Sequence, residues 1–270
     1  MAIDPGAIAQ ELIDAYEAGD LLPQTLSSRE GFDLPAAYAV EAELARRRQA
    51  SGRTIVGRKV AFGNHAALEK LKLKTVAWAS MYDDTVHQAN VEDATAVPFT
   101  YAPKLEPEIV FRLKAPVTGD TSDPVAILRS VEWLSLGYEI VDCPFPEWQF
   151  QPQDLVAAFG FHAALVLGPP TTVTSGNVSS LAAQLADFKL KLFKNDTFVE
   201  EGGGRNVFRS PALCLGELAA AISRSSWAEP LRAGELISTG SLTTAMLIAP
   251  GETWRAEPDG LDVAALVMKL

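Results

Sequence analysis

The sequence predicts an α+β protein in which a smaller helical and mixed N-terminal part, residues 1–75, sits on a β-rich body, residues 76–270. Two amphipathic helical patterns open the chain, strand-like segments rich in Val, Ile and Phe alternate with short helical ones through the middle, and Gly234 to Lys269 is strands and turns. With 270 residues, 48% of them hydrophobic, and a mean hydropathy of +0.09, the chain can bury a sizeable core.

Ile8, Leu12, Ile13 and Tyr16 recur at helical spacing between a start at Asp4-Pro5 and a stop at Gly19. A second helix spans 34–50, its basic last turn Arg46-Arg47-Arg48 suiting the negative end of the helix dipole. Thr54–Phe62 reads as a strand, followed by a short helix from His65 to Leu73. Thr75–Val86 has no clean period and is expected to line or close a site. Strand material runs from Pro98 to Leu113, and a helix is signalled by Val125, Ile127, Leu128, Val131 and Leu134 before a strand over 137–142.

Farther along, Asp154 to Leu167 fits either a helix or a buried strand. Phe188–Val199 reads as a hairpin turning at Asn195-Asp196, with Lys189, Lys191 and Lys194 on a solvated face. Gly202-Gly203-Gly204 reads as a flexible loop without the strand, helix or Lys-Ser/Thr context of a phosphate cradle, and a helix follows over 211–223. No internal repeat, heptad run or low-complexity segment interrupts this order.

Lys and Arg total 23 against 34 Asp and Glu, and the net charge of -11 argues against nucleic acid and anionic membranes as partners. Two cysteines, Cys143 and Cys214, are too few and too far apart for a disulfide framework or a thiolate zinc site. Acids at Asp4, Glu11 and Asp14 stand where a signal peptide is basic, and no apolar run approaches a membrane span. The expected location is therefore cytoplasmic.

Glu106 and Glu108 flank Pro107 in Leu105–Leu113, so an extended chain points both carboxylates to one face while Ile109 and Phe111 take the other. Glu139 repeats the pattern in an apolar strand, where burying a lone charge is costly. Such a set reads either as a solvated sheet face or as an all-oxygen site for a hard cation, Mg²⁺, Mn²⁺ or Ca²⁺ rather than zinc. Lys59 reads either as an edge residue reaching to water or as a substrate-facing cation or proton carrier. Of His65, His87 and His162, no two fall at metal-ligand spacing, and His65 with Glu69 is the one pair spaced to act as a base and its orienting acid. Ser241 lacks the Gly-x-Ser-x-Gly elbow of a nucleophile, but the Gly240–Thr244 hydroxyls can hydrogen-bond a carboxylate.

Several segments together resemble the 2-keto-4-pentenoate hydratase and 4-oxalocrotonate decarboxylase family of the fumarylacetoacetate hydrolase superfamily. They are Ala37-Tyr38, Gly57-Arg-Lys-Val60, Leu105-Glu-Pro-Glu-Ile-Val110, Glu139-Ile-Val-Asp142 with Trp148, Val166-Leu-Gly168, Leu231-Arg-Ala-Gly234 and Thr239-Gly-Ser-Leu-Thr243. The resemblance implies a mixed β-roll or barrel-like body, a divalent metal, Mg²⁺ or Mn²⁺, on Glu106, Glu108 and Glu139, and Lys59 as the active-site lysine. It also implies a small 2-oxo acid as ligand and a homo-oligomeric assembly. In that family the metal chelates the carboxylate and 2-oxo group and stabilises enolate charge. The implied reactions are hydration of a 2-hydroxydienoate, decarboxylation through the same electron sink, or C–C hydrolysis of an acylpyruvate or fumarylpyruvate with His65 and Glu69 activating water. A binding homologue without turnover is a further reading.

Two segments depart from the family. Val76-Ala-Trp-Ala79 lacks an acid found there in relatives, and Ala158-Phe-Gly-Phe-His162 replaces an Asp-Asn-Ala-Ser segment. Asp83, Asp84, His162 and His65 are the candidates to move protons in their place, Trp78 and Ser241 the candidates to touch substrate, and Trp78, Phe159 and Phe161 point to an apolar or aromatic tail. A buried Lys59 beside a metal is expected to have a lowered pKa.

Overall fold

The structure is a computed structural model that describes residues 3–90, 92, 94–118 and 121–270. Helix α1, Pro5–Ala18, starts where the Asp4 side chain accepts hydrogen bonds from the N–H groups of Gly6 and Ala7, and it stops at Gly19, whose φ of 72° is the left-handed conformation that glycine adopts without a Cβ clash. Helix α2, Leu34–Ala50, is capped by Asp33 and carries Arg47 and Arg48 in its last turn. Ile8 and Leu12 of the first helix and Ala37, Val40 and Leu44 of the second are buried in one apolar cluster with Phe145, Val156 and Phe161.

The chain then runs through β1 (Ile55–Ala61), α3 (His65–Leu71), β2 (Ala77–Tyr82), β3 (Val86–Gln88), β4 (Lys104–Leu113), α4 (Pro124–Leu128) and β5 (Val131–Val141). There follow α5 (Pro152–Ala157), β6 (His162–Leu167), β7 (Thr171–Thr172), α6 (Val178–Asp187), β8 (Lys189–Lys194), β9 (Thr197–Gly203) and α7 (Pro211–Arg224). The last strands are β10 (Leu236–Ser241), β11 (Met246–Leu247), β12 (Thr253–Asp259) and β13 (Leu266–Lys269). No described helix is long and apolar enough to cross a membrane.

The main sheet has strand order β2-β1-β10-β4-β5-β6-β3, with β11 added to β4 and β7 to β5. The second sheet is β13-β12-β8-β9. Period-two alternation divides the main sheet's faces: Leu105, Ile109, Phe111 and Leu113 enter the large core with residues of α4, α6 and α7, while Glu106, Glu108 and Val110 point the other way. The site therefore lies on the sheet face turned toward the α1, α2 and α5 cluster.

Strand β1 pairs with β2 on one side and β10 on the other, so residues on both sides of position 75 share one sheet. Lys59 is thus not an edge residue but 3% exposed in an internal strand. Thr75–Val86, expected to be aperiodic, holds β2, whose residues are almost all buried between two neighbours' packing surfaces. Its small alanines at 77 and 79 erase the alternation a strand usually shows.

The helix signalled by Val125 through Leu134 ends at Leu128, and Val131 and Leu134 belong to β5. Apolar residues at both kinds of spacing continue across the boundary because β5 is buried on both faces. The 154–167 stretch is both of its alternatives in succession, α5 and then β6. Gly202–Gly204 is not a flexible loop: a Cβ at Gly202 would stand 2.0 Å from the Leu242 carbonyl oxygen, and one at Gly204 1.9 Å from that of Leu185. These glycines let backbones touch.

Candidate metal centre and active site

Strands β4 and β5 pair with Glu106 opposite Glu139, which brings the third carboxylate beside the first two. One carboxylate oxygen from each of Glu106, Glu108 and Glu139 lies within 4.8 Å of the others. Glu108 and Glu139 are fully buried and Glu106 is half-buried at the cavity wall. Separations of this size suit ligands around one Mg²⁺ or Mn²⁺, since metal–oxygen bonds near 2.1 Å place opposite ligands about 4.2 Å apart.

Glu108 is oriented by β10. Ser238 Oγ donates to Glu108 Oε2 at 2.5 Å and the Gly240 N–H donates to the same oxygen at 2.8 Å. The register of β10 against β4 shifts between Ser238, which faces Val110, and Ser241, which faces Glu108. Gly240 takes a φ of 107°, turning its N–H out of the sheet pattern and onto the carboxylate.

Glu139 is held from two sides. His162 Nδ1 lies 2.8 Å from Glu139 Oε1, and His162 Nε2 lies 3.0 Å from Thr85 Oγ1. Because a carboxylate only accepts, the His162 Nδ1 carries the hydrogen of that bond. Lys59 Nζ stands 3.1 Å from Glu139 Oε2 and donates to the Gly160 carbonyl at 3.1 Å.

The remaining oxygens decide the chemistry. Glu108 Oε1 is buried without a hydrogen-bond partner, and Glu139 Oε2 has only the charge of Lys59 beside it, outside hydrogen-bond geometry. Buried anionic oxygens left unpaired are costly, and a cation is the group that would satisfy both at once. The donor set therefore fits a hard divalent ion.

The proton affinities express the same imbalance. Burial pushes Glu106 up to about 7 against the attraction of Lys59, and burial together with its carboxylate neighbours pushes Glu108 well above the usual range. At Glu139 burial is outweighed by Lys59 and His162, so its carboxyl is held low. Burial acts to lower the Lys59 ammonium, but Glu139, Glu106 and Glu108 together outweigh it and the net direction is up. The lowered pKa expected for Lys59 is thus not found in the metal-free protein, because three carboxylates face one ammonium.

A pH dependence follows. The folded chain holds protons on Glu106 up to about 7, whereas the ordinary carboxyl value is 4.5, so between these values the folded state binds more protons than the unfolded. Stability of the metal-free protein therefore falls as pH rises through that window, the opposite of a salt-bridged carboxylate. Denaturation of chelator-treated protein at pH 5 and pH 7.5 is expected to show the fall, and saturating Mn²⁺ to reverse its sign, since metal displaces the protons. Equal slopes with and without metal would contradict the assignment.

A cavity of about 350 Å³ opens onto this cluster, lined by Lys59, Glu106, Gly240 and Ser241 at the carboxylate end and by Phe62, Trp148, Phe150, Leu155 and Phe161 beyond. Ser241 Oγ is buried there without a partner. Of the residues singled out in the sequence, the structure brings together Lys59, Glu106, Glu108, Glu139, His162 and Ser241. Trp78 does not join them: it neighbours Ala79, which faces the site beside Gly160, so strand alternation turns its ring to the other face, stacked on Trp227 at 5.6 Å. Asp83 and Asp84 are exposed, the first accepting from the Thr54 N–H at 3.0 Å and the second paired with Arg53. His65 is exposed and packs on Phe208 at 4.3 Å; neither it nor Glu69 lines the cavity. Phe159 lies under Arg48 instead of at the cavity wall.

Sequence reasoning missed Ser238, Thr85 and Gly160, which carry no motif and act through distant strand pairing. It also missed Phe150, which stands in a loop with no period.

No family model matches the chain. It is 27% identical over 257 residues to 2-keto-4-pentenoate hydratase of Paraburkholderia xenovorans strain LB400, covering 94% of this chain and 90% of that protein. It is 26% identical over 257 residues to 4-oxalocrotonate decarboxylase of Pseudomonas sp. strain CF600, covering 94% and 93%. Among solved structures, 4-oxalocrotonate decarboxylase from Pseudomonas putida G7, complexed with magnesium and adipate, superposes with a TM-score of 0.85 at 22% identity over 98% of this chain and 96% of that one. Over most of its length the chain is thus similar to hydratases and decarboxylases of this kind. The fold is shared with fumarylpyruvate hydrolase from Pseudomonas aeruginosa, complexed with Mn²⁺ and pyruvate, which superposes with a TM-score of 0.58 at 14% identity over 78% of this chain and 87% of that one. The mixed, curled sheet expected from the sequence is the fumarylacetoacetate hydrolase fold of these structures.

The segment Ala158–His162 puts His162 on Glu139. Replacing His162 with glutamine is expected to weaken Mn²⁺ binding about tenfold by freeing Glu139 to rotate. Titration calorimetry reads the change, and unaltered affinity would show that His162 does not set the ligand's orientation.

Proposed function

We propose that this chain is a divalent-metal-dependent lyase, a hydratase or decarboxylase, acting on 2-oxo and 2-hydroxydienoate acids of aromatic-compound catabolism. The observation that carries the reading is the trio of clustered carboxylates, two of them fully buried with an oxygen outside any hydrogen bond among the described residues, facing one buried lysine at a small cavity. Relatives named as hydratases and decarboxylases support it.

Glu106, Glu108 and Glu139 hold the cation, Mg²⁺ or Mn²⁺. When bound, the ion supplies Lewis-acid stabilisation of charge that develops on a chelated carboxylate and 2-oxo group. Lys59 keeps its proton in the carboxylate field and is placed to orient the substrate and give that proton to carbon as a 2-hydroxydienoate becomes its keto form, the 2-hydroxyl proton leaving to water and Lys59 being reprotonated from it. Ser241 Oγ and the backbone around Gly240 hydrogen-bond the acid head group. His162 is a positioning residue for Glu139.

C–C hydrolysis is disfavoured because His65 and Glu69, the pair that would activate water, stand outside the cavity. Product analysis separates the reactions: hydration adds one water without fragmentation, decarboxylation releases CO₂, and hydrolysis releases two acids. Release of two acids would overturn the lyase reading, as would no turnover of any dienoate in the presence of Mg²⁺. We further propose a homo-oligomer in the cytoplasm. The net charge of -11, two buried free cysteines and an exposed Trp227 support it.

A further inference from the structure

The carboxylate cluster explains how a 2-oxo acid head group is held, and the rest of the cavity describes what the head group is attached to. Phe161 stands one residue beyond the Gly160 carbonyl that Lys59 contacts. Phe150 packs edge-on against it with ring centroids 4.8 Å apart, and Trp148 does so at 6.1 Å. Phe62 and Leu155 complete an apolar wall that begins where the head group ends.

The backbone is bent to present these rings. Phe62, Trp148 and Phe161 have φ of 60°, 56° and 58°, a left-handed conformation that bulky residues rarely adopt and that is strained for them. Three such residues around one cavity mark the wall as held in place against local preference.

Charge is equally selective. Among the described residues, Lys59 is the one cation lining the cavity, and it is committed to Glu139 and Gly160. Lys104, next along β4 on the face of Glu106, lies with Nζ 3.9 Å from the centre of the Trp148 ring and does not line the cavity. The other polar lining groups, Asn64, Thr243 and Thr244, are neutral.

We propose that the substrate is a monocarboxylate: a 2-oxo or 2-hydroxydienoate acid whose tail is uncharged, apolar and flat, an aryl or alkenyl group; a second carboxylate is excluded, and with it the decarboxylase branch of the lyase reading, which needs a distal carboxylate to lose. This rests on the metal-chelate reading of the head group and adds the tail to it. A distal carboxylate would lose its hydration against Phe150, Phe161 and Leu155 with no counter-ion, whereas a ring gains contact with all three. The cavity volume of about 350 Å³ lies in the range of small-ligand sites and has room for an aryl tail.

The test is calorimetric titration of the Mg²⁺-loaded protein with three 2-oxo acids: pyruvate, 2-oxo-4-phenylbutanoate and 2-oxoadipate. The phenyl acid is expected to bind at least about tenfold tighter than pyruvate, from the burial of one ring, and 2-oxoadipate no tighter than pyruvate. Phe150→Ala is expected to shrink the ratio of the phenyl acid to pyruvate severalfold, a comparison within one folded variant. Tightest binding by 2-oxoadipate, equal affinity for all three, or a ratio unchanged in Phe150→Ala would overturn the tail assignment while leaving the head-group site standing. Failure of pyruvate and both longer acids to bind would overturn the head-group reading itself.

Discussion

Glu108→Gln is expected to abolish tight Mg²⁺ and Mn²⁺ binding, with affinity down at least about 100-fold and turnover down about 1,000-fold or more, and at the same time to stabilise the metal-free protein. Both effects have one cause. Glu108 has no exposure to water and its Oε1 has no partner, so burial drives its pKa well above the ordinary value. A neutral amide relieves that cost, keeps an oxygen to accept from Ser238 and Gly240, and removes the charge a dication needs. The stabilisation of the metal-free fold comes from removing a carboxyl that the folded state must hold protonated above its ordinary range. Thermal denaturation with chelator and calorimetry with Mn²⁺ read the two signs, and a destabilised variant that still binds metal would refute the assignment.

Lys59→Met is expected to lower kcat by about 10³-fold, within the usual contribution of a positioned proton donor, while metal affinity at pH 8 stays equal or increases. The ammonium stands 3.1 Å from a ligand oxygen, so it competes with the metal for the same negative field. Removing it deletes the proton carrier and a neighbouring positive charge together. A loss of metal affinity that matches the loss of turnover would instead make Lys59 part of the structure of the site and not of its chemistry.

Most of the site was legible because its residues sit in strands, where parity alone predicts facing. Glu106 and Glu108 follow from a period of two, and Glu139 joins them through one ladder pairing. Trp78 was misplaced by the same rule left unapplied: in a strand so rich in small residues the alternation carried no hydropathy signal, and the face had to be fixed by Lys59 pairing with Ala79. Phe161 and His162 could not be placed from the sequence, because positive φ at Phe159, Gly160 and Phe161 inserts a turn between helix and strand that no periodicity records.

The helix α6 was not foreseen, although Leu181, Ala182 and Leu185 do lie at helical spacing. The overrun of the 124–134 helix has the opposite cause: a strand buried on both faces supplies apolar residues at every spacing. The glycines at 202–204 show that composition gives flexibility and contact the same letter, and only the neighbouring carbonyls of Leu242 and Leu185 distinguish them.

The most direct test of the carboxylate centre is an anomalous difference map from crystals soaked with MnCl₂ and pyruvate. One manganese peak per chain is expected among Glu106, Glu108 and Glu139, with the pyruvate carboxylate and 2-oxo oxygens beside it on the side of Ser241 and Lys59. A peak elsewhere, or none at full soak with the three carboxylates unmoved, would contradict it.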